Sequence, residues 1–185
     1  MSRKLDRRTT RTRDRLGDAL IELMLEKPFE AIKVQDVLDR AGVSRSTFYV
    51  HYRDKDDLFI SDVDDFWESF ASILSRCGEK SDRIAPVREL FEHASQSRSF
   101  LAALKESGRL HDVMELGRLH FARGIEQRFN EVPRAARIAK AYRSDVAHAY
   151  SGTLLALLVR WLDRPNGRSA AQMDQLFHRL VWSGA

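Results

Sequence analysis

The 185-residue sequence predicts an all-α protein: three short helices, then a long fourth helix, then a helical C-terminal portion. Three observations predict it. Apolar residues recur three and four apart along nearly the whole chain, the period of a helix. No stretch alternates apolar and polar residues with the period of two that a half-buried strand shows. Between Val34 and Tyr52, two short apolar runs flank a single glycine, the spacing of two helices that cross at a tight turn.

Leu16, Ala19, Leu20, Leu23 and Met24 form one stripe on a first helix. Lys27-Pro28 ends it, because proline disfavours helix in the residue before it. Val34, Val37, Leu38 and Ala41 make a short second helix, stopped by Gly42 at a position suited to left-handed backbone. Ser44 is a good N-cap for a third helix running to about Tyr52. Asp54 caps the fourth helix, and Asp56 and Asp57 lie in its first turn, where the helix dipole favours negative charge. Its apolar positions are Leu58, Phe59, Val63, Phe66, Phe70 and Leu74. A polar connection from Cys77 to Ser81 follows, then expected helices at 84–96, 98–106, 109–130, 134–162 and 170–182. The breaks fall near Gly108, Pro133 and the Arg164-Pro165-Asn166-Gly167 turn.

Composition narrows the function classes. A single cysteine, Cys77, excludes an intrachain disulfide and a cysteine-based zinc cluster within one chain. The N-terminus is basic with no apolar run behind it, unlike a secretory signal. The most apolar run, Leu154 to Val159, stops at Arg160 and is too short to span a bilayer, so a cytoplasmic protein is expected. The sequence lacks a Gly-rich phosphate loop and a nucleophile elbow, so an enzyme is not expected. No cofactor is expected either. Charge is uneven: residues 1–15 hold seven basic and two acidic side chains, a net +5. The other 170 carry 24 basic and 25 acidic ones. Such a basic arm, expected to be flexible over residues 1–10, is drawn to polyanions, of which DNA is the common case.

The segment V-Q-D-V-L-D-R-A-G-V-S-R-S-T-F-Y-V-H-Y carries the functional reading. Val37 and Ala41 should meet Val43 and Phe48 around Gly42, leaving Arg45, Ser46, Thr47, Tyr49 and His51 outside that core. Hydrogen-bonding side chains at the start of a short helix are what a DNA major groove accepts. A helix hairpin with a merely polar surface is the alternative that the same pattern leaves open.

From about Arg11 to Phe59 the sequence resembles the N-terminal domain of TetR-family bacterial regulators. The likeness lies in the alanine-glycine-valine-serine turn, then T-F-Y-V-H-Y, then R-D-K-D-D-L at the start of the fourth helix. It implies a DNA-binding domain at 11–56 and a helical regulatory and dimerisation domain at 57–185. It also implies that Ser44, Arg45, Ser46 and Thr47 approach bases or phosphates, and that Tyr49 and His51 meet the sugar-phosphate backbone. Lys55 would hold a phosphate at the start of the fourth helix, and Lys33 and Gln35 match positions that often touch DNA. Leu38 departs from the family pattern, which has a smaller residue at the helix crossing.

The resemblance further implies a homodimer through the last two long helices, about 146–162 and 170–182, on palindromic double-stranded DNA. Leu154, Leu155, Leu157, Leu158, Val159, Trp161 and Leu162 leave the first of these apolar on nearly every face. A repressor that responds to a small-molecule effector is the expected function. An activator of the same fold without an effector is the alternative, because the C-terminal half also resembles the branch that includes dihydroxyacetone kinase operon activators. Candidates for an effector cavity are Phe66, Trp67, Phe70, Phe91, Phe100, Leu104, Phe121 and Tyr142, with ordinary core as the competing reading. His111, Glu115 and His120 are poorly spaced along one helix face, and no metal site is expected.

Overall fold

The computed structural model describes residues 2–76, 78, 80–164 and 167–183, and all regular elements among them are helical. The side chains of residues 2–8, Cys77 and the Pro165-Asn166 tip of the expected turn lie outside the described part. The chain divides into two compact units. Unit 1 comprises residues 1–63 and 99–111, and unit 2 comprises 64–98 and 112–185.

In unit 1, helix α1 runs Ser2–Glu26, so the segment expected as an arm before the first helix is the start of that helix instead. Its predicted stripe is buried: Leu16, Ala19, Leu20, Leu23 and Met24 are each at most 5% exposed. A 3-10 turn at Phe29–Ala31 leads to α2 (Val34–Ala41), whose Val37, Leu38 and Ala41 are buried against the rest of the unit. The larger Leu38 is therefore accommodated at the crossing. Two sets of ion pairs lock α2 to α1: Lys27 to Asp36 at 2.6 Å, and Arg40 to both Glu22 and Glu26. The Lys27 ammonium and the Lys33 backbone N–H hold the Asp36 carboxyl below its ordinary range.

Gly42 has φ +61° and donates its N–H to the Leu38 carbonyl, with Val43 N–H on the same oxygen at 3.1 Å. This is the left-handed stop expected from the sequence. A Cβ at Gly42 would also come within 2.8 Å of the Arg15 guanidinium, which bonds the Ala41 and Gly42 carbonyls from outside. Helix α3 (Arg45–His51) and α4 (Lys55–Ala71) follow. Ser44 caps α3 by accepting from Thr47 N–H at 3.2 Å, and Asp54 accepts from Asp57 N–H at 2.8 Å. A cap of this kind contributes about 1 kcal/mol.

The expected domain boundary after residue 56 differs from the division observed. No breaker interrupts α4 there, and Leu58, Phe59 and Val63 are buried with unit 1. Residues 99–111, which include most of α7 (Arg98–Glu106), also return to this unit, and Leu104 is fully buried.

Unit 2 contains the short α5 (Ile73–Arg76), α6 (Val87–Gln96), most of α8 (Leu110–Glu131), α9 (Arg143–Leu162) and α10 (Ala170–Ser183). Two glycines let α8 approach the end of α4 closely. A Cβ at Gly117 would lie 2.8 Å from the Trp67 ring, and one at Gly124 would lie 2.9 Å from the Ala71 carbonyl oxygen. Phe91, Phe121, Ile125, Phe129, Leu154, Leu158, Phe177 and Val181 fill the core. Arg128 is only 4% exposed, yet its guanidinium donates to the Ser81 and Arg83 carbonyls and pairs with Glu131.

Two expected helices are corrected. The helix expected from residue 84 starts at Val87, because Pro86 precedes it and Ile84 N–H donates to His178 Nε2 at 3.1 Å. The helix expected over 134–162 begins only at Arg143. Before it lie 3-10 turns at Pro133–Arg137 and Lys140–Tyr142. The Arg143 guanidinium bonds the Ala135 and Ile138 carbonyls, taking acceptors that a continuing helix would have used internally.

Candidate nucleic-acid interface

The presentation of α3 starts with one buried ring. Phe48 is 0% exposed, packs against the rings of Tyr49 and Tyr52, and fixes which face of the helix is turned inward. Burying a side chain of this size contributes about 1.5–3 kcal/mol, enough to set the rotation of a seven-residue helix. Arg13 on α1 secures the helix end, donating to the Tyr52 hydroxyl at 3.1 Å and to Ser61 Oγ at 3.0 Å.

Opposite that anchor, Ser44, Arg45, Ser46 and Tyr49 are exposed, with Tyr49 at 51%. Thr47 is half-buried and shares a hydroxyl contact of 2.8 Å with Ser44. Ser44 therefore spends its side-chain oxygen on the cap and on Thr47, and reaches outward less than Arg45 and Ser46 do. Arg45 Nη2 donates to Gln35 Oε1 at 2.8 Å, while Gln35 Nε2 donates to Asp39 at 2.7 Å. These two side chains from α2 and α3 form one exposed polar strip. Lys33 is exposed just before α2, and His51 is half-buried with its ring 6.2 Å from that of Tyr52.

Lys55 opens α4, as expected, and its ammonium has a partner within the unit. Its ammonium donates to the Phe29 carbonyl at 2.6 Å and lies 4.3 Å from the centre of the Phe29 ring. The Arg109 guanidinium rests on the same ring at 4.4 Å and pairs with Asp56. Neither Phe29 nor Arg109 is among the residues expected at the site. Arg109 stands 53 residues along the chain from Asp56, and no local pattern announces such a pair. Val50 is a further unexpected member: it is an apolar side chain on α3, 77% exposed, whose exposure a hydrophobic residue does not advertise.

The eight cavity candidates are divided between the two units. Trp67, Phe91 and Phe121 are buried in unit 2, with the Trp67 and Phe121 rings 5.6 Å apart and Phe91 5.2 Å from Trp161. Phe66 and Phe70 are half-buried and pack on each other and on His93. Phe100 and Leu104 belong to unit 1, and Tyr142 is 65% exposed. A groove of about 700 Å³ beside α8 and α9 is lined by Met114, Arg118, Leu155 and Val159, among others, and by none of the eight. His120 is buried and donates to Asp64 at 2.7 Å, Glu115 pairs with Arg118, and His111 is exposed. No group of three metal-ligating side chains occurs among the described residues.

Three comparisons bear on this arrangement. Residues 16–61 match the model of the bacterial regulatory proteins of the tetR family. A stretch of 57 residues is 35% identical to an uncharacterized HTH-type transcriptional regulator, YxbF, of Bacillus subtilis. That match takes in 30% of this chain and 15% of the length of that relative. Over its whole length the fold is similar to a TetR transcriptional regulator of Streptococcus agalactiae. There the TM-score is 0.59, the identity 22%, and the coverage 98% of this chain and 99% of the other. A TetR-family regulator of Syntrophomonas wolfei gives a TM-score of 0.66 at 18% identity, covering 94% and 95%. TetR-family regulators bind DNA and are generally repressors. Residues 16–61 are thus similar to the DNA-binding domain of the tetR family, and the fold is similar to those of solved TetR-family regulators.

Proposed function

We propose that the protein is a sequence-specific transcriptional repressor that binds a palindromic duplex operator as a homodimer. The observation that carries this reading is the outward face of α3: Arg45, Ser46 and Tyr49 exposed, and Phe48 buried behind them. Arg45 and Ser46 enter the major groove, where a bidentate arginine contact to guanine is worth about 1–3 kcal/mol of discrimination. Tyr49, His51 and Lys33 meet the backbone. Lys55 leaves the Phe29 carbonyl to take a phosphate, and Gln35 releases Arg45 when a base edge replaces it. Thr47 and Ser44 hold the helix start in shape. The basic residues at the beginning of α1 add sequence-independent attraction.

One short recognition helix binds weakly, and a two-fold partner doubles the contact on a palindrome. The last two helices supply the partner surface in this reading. Leu180 on α10 is 47% exposed, and α9 shows Ala149 and Ala156 at its surface, small enough for a close helix approach. No effector is assigned a seat, because the unit 2 ring cluster packs on itself. No helix among the described residues is long and apolar enough to cross a membrane, which agrees with work on chromosomal DNA in the cytoplasm.

A gel-shift titration against the DNA upstream of the protein's own gene tests the reading. The expected result is a sequence-selective complex that weakens steeply with salt. Tyr49→Ala should weaken it on all sequences, whereas Arg45→Ala should also relax the preference at one base position. Absence of a selective complex at every moderate salt concentration would refute the reading. A reporter fused to the bound promoter separates repression from activation.

A further inference from the structure

We propose that Arg109 is a positioning residue for DNA binding, keeping Asp56 paired at the start of α4 so that Lys55 is available to a phosphate. The proposal rests on the reading of α3 and Lys55 as the DNA contact.

Arg109 sits between α7 and α8, outside the segment that carries the family likeness, yet it is part of unit 1. Its guanidinium lies 4.4 Å from the Phe29 ring centre and 5.8 Å from that of Phe59, and the two rings are 5.4 Å apart. It pairs with Asp56 and reaches Glu30 at 3.9 Å. Phe29 is therefore the shared platform of Lys55 and Arg109, contributing its ring to both cations and its carbonyl to Lys55. A planar guanidinium can stack on a ring and bind a carboxylate in its plane at once, which an ammonium cannot do.

The charges around the first turn of α4 explain why the pair matters. Arg53, Lys55 and Arg109 stand against Asp54, Asp56 and Asp57, with the more exposed Glu30 at the edge of the cluster. Asp54 is the helix cap, and Asp57 accepts both the Arg53 N–H and the Arg53 guanidinium. Arg109 takes Asp56. That distribution leaves Lys55 as the cation of the turn whose partner is a neutral carbonyl. Without Arg109, Asp56 carries an uncompensated charge one residue from Lys55. It would then compete for the ammonium and repel the phosphate. The Asp56 side chain is about half exposed, at 47%, so the pair contributes little to folding stability and its effect falls on binding.

The experiment is a fluorescence-anisotropy titration of the full chain on its upstream duplex, with a thermal melt of each variant. R109Q should weaken binding about five- to tenfold with little change in melting. R109Q/D56N should return affinity to within about twofold of the wild type, because the charge balance is restored. R109K should fall between the wild type and R109Q. D56N alone should tighten binding about two- to fivefold, which keeps the proposal testable if R109Q folds poorly. Wild-type affinity in R109Q, or loss that D56N does not rescue, would overturn the proposal. Failure of the wild-type chain to bind any duplex would instead overturn the DNA-binding reading itself.

Discussion

The two units use their cations in opposite ways. In unit 1, arginines and lysines reach in from the surface to hold turns: Arg15 on the Ala41 and Gly42 carbonyls, Arg13 on Tyr52, Lys55 on the Phe29 carbonyl, Arg109 on Asp56. In unit 2, Arg128 is buried and satisfies three separate partners inside the fold, while glycines at 117 and 124 bring helices together. The difference matches two different physical demands. On the proposed reading unit 1 meets a polyanion, and such a surface gains from cations that are anchored yet near solvent. A core that must keep its shape gains from polar groups whose every hydrogen bond is made internally.

The contrast can be broken by mutation, and the largest effect belongs to unit 2. Arg128→Ala removes the donors for the Ser81 and Arg83 carbonyls and leaves Glu131 without its buried partner. It should cost about 3–5 kcal/mol, read as a fall in the urea midpoint. Gly124→Ala places a methyl against the Ala71 carbonyl, a backbone atom that cannot step aside. Despite the better helix propensity of alanine, a net loss of about 1–3 kcal/mol is expected in the same assay. Gly42→Ala forces a Cβ into left-handed backbone and towards Arg15. It should cost about 1–2 kcal/mol and reduce DNA affinity, whereas Gly124→Ala should leave affinity unchanged while the protein stays folded.

The smallest expected effect is a pH dependence in unit 2. Burial alone would raise the Asp174 carboxyl, but the His178 hydrogen bond, the Arg83 charge and the Arg88 N–H outweigh it and hold the group below its ordinary range. Stability from this site is therefore complete above the ordinary carboxylate range and is lost as pH falls through the depressed value. An acid titration of the melting temperature should show that loss in the wild type. Asp174→Asn should flatten it below pH of about 4.

Unit 1 is largely legible in the sequence because its determinants are local. The Leu16–Met24 stripe, the Gly42 stop, the Ser44 and Asp54 caps and the buried Phe48 each depend on residues within a few positions of one another. What escapes the sequence there is long-range: Arg109 and Phe29 meet only after residues 99–111 return to the unit. In unit 2 the decisive pairs are almost all of that kind. Arg128 binds a carbonyl 47 residues away, and Gly124 is a close-approach site only because Ala71 faces it. The late start of α9 shows the same limit: helical periodicity persists through 134–142, but Arg143 claims the carbonyls that a helix needed. Aromatic positions leave both readings open, since a ring that lines a void and a ring that fills one look alike in sequence.

The central claim, that α3 reads duplex DNA in a two-fold complex, is tested most directly by footprinting the full chain on its upstream DNA. The predicted result is a palindromic protected region with two half-sites about one helical turn, or 10 base pairs, or a multiple of that apart in the major groove. Arg45→Ala should then change protection at symmetric positions in both halves. No protected region, or a footprint without symmetry that Arg45→Ala leaves unchanged, would contradict the claim.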